Sequence, residues 1–232
     1  AAMGKVKKIY ATELDNYTFN AVKSLMYKVD MSKLEYMYQR VKDIAYNDIM
    51  SLYETSCCGK VNYINKVLFD PDEGREGLFS PSPNREIIDG KNIKFVKKCS
   101  VCGEKSKKFD DDDYKKILNV NKINVDRFPK NKYIANSRIN ITPSTGADNY
   151  DRIFTHRNQV ALLILQDAIN SQDDSQERDV LEQVLVASIS LARIAMYGSS
   201  TDILYHVVGH GAQDMNVWML FEEKYNSFCK FK

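Results

Sequence analysis

From Ser32 onward, Leu34, Met37, Tyr38, Val41, Ile44, Ala45 and Leu52 recur at the three-to-four-residue spacing of a helix. This predicts a long amphipathic helix over residues 32–54, with Ser32 and Glu35 placed as a capping box. Thr155 can cap a second helix over 156–170, and Val180, Val184, Leu185, Ile189 and Ala192 mark the buried face of a third over 176–197. The polar turn between these two predicts an antiparallel hairpin. Val217, Leu220, Phe221 and Tyr225 give a closing helix over 216–228.

The strand signals are shorter. Runs at 61–69 and 92–98 flank a Pro-, Gly- and charge-rich stretch, 70–90, that reads as an irregular loop. A further strand is expected near 203–208. The acidic run Asp110 to Asp113 suits a helix start, where unpaired backbone amides favour negative charge. Residues 128–151 carry little periodicity and read as an irregular basic connection. At the N-terminus a Gly stop at Gly4, a strand over 7–12 and a helix over 17–27 look like half of a doubly wound α/β unit. A lone strand of that kind needs parallel neighbours, so the chain reads as starting in mid-domain.

The expected class is therefore α+β. It is mainly helical, with a zinc-ribbon-like β insertion and the edge of a doubly wound α/β domain. The expected divisions are 1–31 as the remnant of that domain, 32–56 as a connecting helix, 57–150 as the ribbon-like region and 151–232 as a helical region.

With 44% hydrophobic and 28% charged residues the composition is that of an ordinary globular protein. There is no apolar run of membrane-spanning length and no secretory signal pattern, so a cytoplasmic location is expected. Charge is uneven. Up to residue 145 there are 26 Lys and Arg against 19 Asp and Glu, and from 146 onward 7 against 12. Such a split suits a chain of which one part meets a polyanion, and it also arises as ordinary surface variation.

Four of the five cysteines fall in two close groups, Cys57 with Cys58 and Cys99 with Cys102. In a cytoplasmic protein that grouping points to a metal before a disulfide. Cys99-Ser-Val-Cys102-Gly103 has the form of a zinc knuckle, in which two thiolates grip one tetrahedral ion and the Gly permits a left-handed turn. Cys57-Cys58-Gly59 is the candidate partner, although adjacent thiolates reach one ion only with strain. The alternative is a ribbon that has lost its metal and keeps buried thiols.

Glu13 ends the first expected strand, where an acidic residue can accept from both ribose hydroxyls of a nucleotide, with Leu14 and Asp15 beside the adenine. It suits an exposed loop equally. His206 and His210 lack an evident third ligand. His156, Arg157 and Asn158 stand at a helix start that could hold a phosphate or be ordinarily capped.

Several of these pieces, in this order, resemble a family of bacterial and archaeal adenine-specific DNA methyltransferases. The pieces are Ala11-Thr-Glu13-Leu-Asp15-Asn16, Val29-Asp30, Leu52-Tyr53-Glu-Thr55 before Cys57, and Cys99 to Gly103. Phe128-Pro129, Asn136-Ser-Arg138-Ile-Asn140, Phe154-Thr-His-Arg-Asn158 and Asn216-Val-Trp218 with Phe221-Glu222 follow. The family's glycine-rich loop and its Asp-Pro-Pro-Tyr motif are not in this sequence, His156 stands where Lys is usual, and the first knuckle is shortened.

The resemblance implies the target-recognition part of an enzyme that moves a methyl group from S-adenosylmethionine to adenine N6 in duplex DNA. Glu13, Leu14 and Asp15 would form part of the cofactor pocket, and Cys57, Cys58, Cys99 and Cys102 would hold a structural zinc ion. Arg85, Lys107, Lys108, Lys130, Lys132 and Arg138 would contact DNA. Without the Asp-Pro-Pro-Tyr motif the chain alone is expected to be inactive. A restriction endonuclease, or the remainder of the methyltransferase, is the expected protein partner, and residues 151–232 would lead back to the catalytic domain. The competing reading is a non-enzymatic zinc-ribbon module that binds nucleic acid or protein.

Overall fold

A computed structural model describes residues 16–69, 92–132, 149–196 and 212–232. The expected strands at 7–12 and 203–208 lie outside them. Helix α1, Asn16–Met26, is followed by α2, Met31–Leu52, which buries Leu34, Met37, Tyr38, Val41, Ala45, Ile49 and Met50. The cap is Asp30, not Ser32: the Asp30 carboxylate accepts from the amides of Ser32 and Lys33. Aspartate is as good a cap as serine, and one residue earlier it reaches the same orphan amides. Ile44 falls outside the buried stripe and is 49% exposed.

The helix stops at Tyr53 and the chain turns at once into β1, Glu54–Cys57, an element that helical periodicity had absorbed. β1 pairs with β2, Lys60–Phe69, which also pairs with β3, Ile93–Phe95; β3 in turn pairs with β4, Ser106–Lys107. Helix α3, Asp111–Val120, follows. Its cap is Asp110, and Asp113 returns the bond to the Asp110 amide, a complete capping box with an acidic first turn.

After a 3₁₀ turn, Tyr150–Ile153, come α4, His156–Asn170, capped by Thr155, and α5, Gln176–Ala192, capped by Ser175. The two pack against each other as expected. α5 ends at Ala192, short of the expected 197, because Arg193 is extended and Ile194 donates its amide to Ile153 O. Strand β5, Ala195–Met196, then pairs with β6, Ala212–Met215, which pairs with β2. Pairing of 195–196 with another strand has overridden continued helix. Helix α6, Val217–Phe231, closes the chain.

The protein is thus α+β, with six α-helices and a curled antiparallel sheet among the described residues. One apolar cluster joins α2, β2, β3, α4, α5 and α6. Trp218, Phe221 and Tyr225 of α6 meet Tyr38 of α2, whose ring stacks on Tyr225 with centroids 3.9 Å apart. The phenols of this pair reach across: Tyr38 donates to Glu222 and Tyr225 to Glu35. Among the described residues no helix is long and apolar enough to cross a membrane.

Candidate metal centre

The hairpin between β1 and β2 is closed by two residues, Cys58 and Gly59, since Cys57 faces Lys60 in the register. Both have positive φ, 51° at Cys58 and 70° at Gly59. That is the type I′ geometry that matches strand twist, and it explains why Gly follows the cysteine pair. Cys58 is the sole described non-glycine residue with positive φ. The turn swings its sulfur back toward that of Cys57, which a continuing strand would have pointed to the opposite face.

The second pair sits on a knuckle after β3. The Gly103 amide donates to Cys99 O at 2.9 Å, the Cys99 amide donates to Glu104 O at 2.8 Å, and Gly103 takes φ 73° behind the second sulfur. Pairing of β2 with β3 brings the knuckle over the hairpin turn, Phe95 facing Ile64. All four sulfurs then lie within 4.8 Å of one another. Two separations are 3.9 Å, Cys57 to Cys58, and 3.7 Å, Cys57 to Cys102. A tetrahedral ion with bonds to sulfur of about 2.3 Å requires edges of about 3.8 Å. The cluster could therefore hold a metal ion.

The four thiols differ in surroundings. Cys99 is buried, and the backbone amides of Cys102 and Val101 hold its thiol down to about 6. Burial pushes Cys57 up to about 12, and the neighbouring thiols add to the shift. Cys58 and Cys102 are exposed.

Glu13, Leu14, Asp15, Arg85, Arg138, His206 and His210 lie outside the described residues. Lys107 is held by three oxygens, Ser56 O at 2.9 Å, Asp110 Oδ2 at 2.6 Å and Asp113 Oδ2 at 2.9 Å. Burial disfavours its charge, but the two carboxylates outweigh that and raise its pKa. Lys130 pairs with Asp126 at 3.1 Å, whereas Lys108 and Lys132 are exposed.

At the start of α4 the side chains turn inward. Arg157 ion-pairs with buried Asp214 and lies 4.8 Å over the Tyr53 ring. Asn158 accepts from the Tyr53 hydroxyl at 2.7 Å and donates to Ala192 O and Met215 O. His156 Nε2 is 2.8 Å from Ile123 O. Of the two readings of this helix start, the structure supports the ordinary cap; Arg157 and Asn158 hold α4 to α2, α5 and β6. Asp214 carried no periodic signal, and only its strand partner places it here.

No protein-family model, curated protein or solved structure matches the chain.

Proposed function

We propose that the chain is the target-recognition portion of a site-specific DNA adenine-N6 methyltransferase, most naturally of a restriction-modification system. The observation that carries the reading is the closure of Cys57, Cys58, Cys99 and Cys102 into one tetrahedron-sized cluster. Two short motifs that the family order sets far apart meet in one place. Their tetrathiolate set fits zinc, and four sulfurs leave no open coordination position, so the ion would be structural. The buried roles of Arg157, Asn158, Asn216 and Trp218 give physical content to the other motif residues.

In this reading the ribbon and the basic residues around it meet duplex DNA, with exposed Lys108 and Lys132 on phosphates. Glu13, Leu14 and Asp15 would border the S-adenosylmethionine site. The Asp-Pro-Pro-Tyr motif that would receive a flipped adenine is not among the 232 residues, so methyl transfer needs that motif from elsewhere. The second reading, a protein-binding zinc-ribbon adaptor, is favoured by Val61 and Val101, which are 64% and 59% exposed beside the cluster.

Fluorescence anisotropy with a mixed-sequence duplex across a salt series separates the two. The expected result is weak binding whose affinity falls steeply with salt. Affinity that is absent, or unchanged between low and moderate salt, would overturn the DNA-binding reading.

A further inference from the structure

The described ribbon, residues 57–69 and 92–109, holds eight lysines and a single acidic residue, Glu104. Of the chain's 33 Lys and Arg and 31 Asp and Glu, this leaves 25 against 30 for all the rest. A chain close to neutral as a whole therefore gathers positive charge on the segment that carries the thiols, which raises the potential where that segment meets solvent. Three of the eight lysines are engaged within the fold: Lys107 is held by Asp110 and Asp113, and Lys66 and Lys94 are half-buried in the sheet. Lys60, Lys97, Lys98, Lys105 and Lys108 are exposed.

Strand pairing decides which of these stand together. Lys60 faces Cys57 in the hairpin register, and Lys97 and Lys98 lead directly into Cys99. Lys105 follows the knuckle, and its carbonyl accepts from the Phe95 amide at 2.9 Å. Because the four sulfurs lie within 4.8 Å of one another, these four lysines surround one end of the ribbon. Lys108 lies past β4 on the way to α3, away from that end. No described carboxylate pairs with any of the four, and the acidic start of α3 that approaches β1 is taken up by Lys107 and Thr55. A zinc tetrathiolate would offset about two of the charges, so this end is basic with or without metal. Val61, beside Lys60, and Val101, between Cys99 and Cys102, are 64% and 59% exposed and give the basic end an apolar centre.

We infer that Lys60, Lys97, Lys98 and Lys105 form the main phosphate-contacting surface of the chain, so that the thiol end of the ribbon is the part that approaches duplex DNA. The inference rests on the DNA-binding reading above and adds four residues on which that reading did not depend. The metal-sized cluster joins two segments, each too short to present such a charge alone, and every phosphate they neutralise releases a counterion.

The test uses the full chain in three forms. One carries Lys60→Gln, Lys97→Gln, Lys98→Gln and Lys105→Gln; the second has Arg at the same four positions. The third is a control in which exposed Lys28, Lys115, Lys122 and Lys230 become Gln, removing equal charge elsewhere. Affinity for a mixed-sequence duplex and for poly-glutamate is measured across a salt series, with zinc content and melting temperature recorded. The Gln form should bind duplex at least about 10-fold more weakly at low salt, with a slope of log affinity against log salt shallower by about three to four. Its zinc content and melting temperature should match the parent's. The Arg form and the control should stay within about 3-fold of the parent, since distant exposed charges are screened. Duplex binding kept by the Gln form, or lost equally by the control, overturns the inference and leaves the DNA reading standing. Zinc lost together with binding also overturns it, because the lysines would then serve the thiolates. If the Gln form melts lower, the four single Gln variants decide, each expected to flatten the slope by about one; unchanged slopes in all four overturn the inference. Poly-glutamate bound by the parent more tightly than duplex assigns the surface to an acidic protein and overturns the DNA ligand. A parent that binds neither probe sinks both readings.

Discussion

The sulfurs of Cys57 and Cys102 lie 3.7 Å apart although 45 positions separate them along the chain. The distance is set by a type I′ turn on one side, a knuckle on the other and the β2 to β3 pairing that superposes them. The knuckle's backbone bonds, Cys99 to Glu104 and Gly103 to Cys99, are of ordinary length and join residues within the loop itself.

Purified chain should carry one zinc ion, as read by elemental analysis, and a chelator should lower the melting temperature by more than about 5 °C. Cys99→Ser should abolish metal retention, because Cys99 is the buried member of the set. Well under one ion per chain, with no chelator effect, would identify a ribbon that has lost its metal.

Cys58 bears left-handed backbone strain of about 1–2 kcal/mol, and it is followed by Gly59. Cys58→Asn makes Asn-Gly, the preferred pair for this turn, while removing one sulfur. In chelator this variant should be as stable as the parent or about 1 kcal/mol more stable; without chelator it should be less stable. Cys58→Ala should lose the metal with no relief of the turn. Urea unfolding in both conditions reads the crossover, and a parent that stays the more stable in chelator would contradict the strain assignment.

Arg157 and Asp214 are buried together under Tyr53, with Thr155 donating to the carboxylate at 3.2 Å. Arg157→Met alone should cost about 3–5 kcal/mol by stranding a buried carboxylate. Asp214→Leu added to it should restore most of that loss. A double-mutant cycle by urea unfolding measures the coupling, and additive losses would show that the pair does not act as one unit.

Lys107 with Asp110 makes stability depend on pH at both ends. The Asp110 pKa is lowered: burial opposes its charge, but Lys107 and the Asp113 amide outweigh that. Its contribution is complete above the unfolded carboxyl value of about 3.9 and disappears as pH falls through the depressed folded value. Lys107 is raised, so its contribution is complete below about 10.4 and disappears as pH rises through the elevated folded value. The contribution of this pair to the melting temperature should therefore be constant in between, and Lys107→Met should make both limbs shallower. Limbs unchanged in that variant would place the pH dependence elsewhere.

The helices were legible because their signals are local. The apolar stripes of α2, α5 and α6, the Thr155 cap and the acidic start of α3 are each written within a few turns of chain. Errors fell at the ends, where a competing partner decided. Asp30 displaced Ser32 as cap, and strand pairing by Ala195 and Met196 shortened α5. The cysteines announced themselves as two pairs, but adjacent thiols looked strained because nothing in the order of residues reveals a left-handed Cys58.

From the sequence by itself came the α+β class, most helices and the identity of the four thiols, since periodicity, caps and ligand chemistry are properties of neighbouring residues. Tertiary structure alone decided that the thiols form one cluster, that Arg157 faces Asp214, and that a bulge at Asn65 sets Lys66 opposite Lys94. Each of these depends on strand register. Register is set by pairing partners far along the chain, and a one-residue shift moves a side chain from one face to the other.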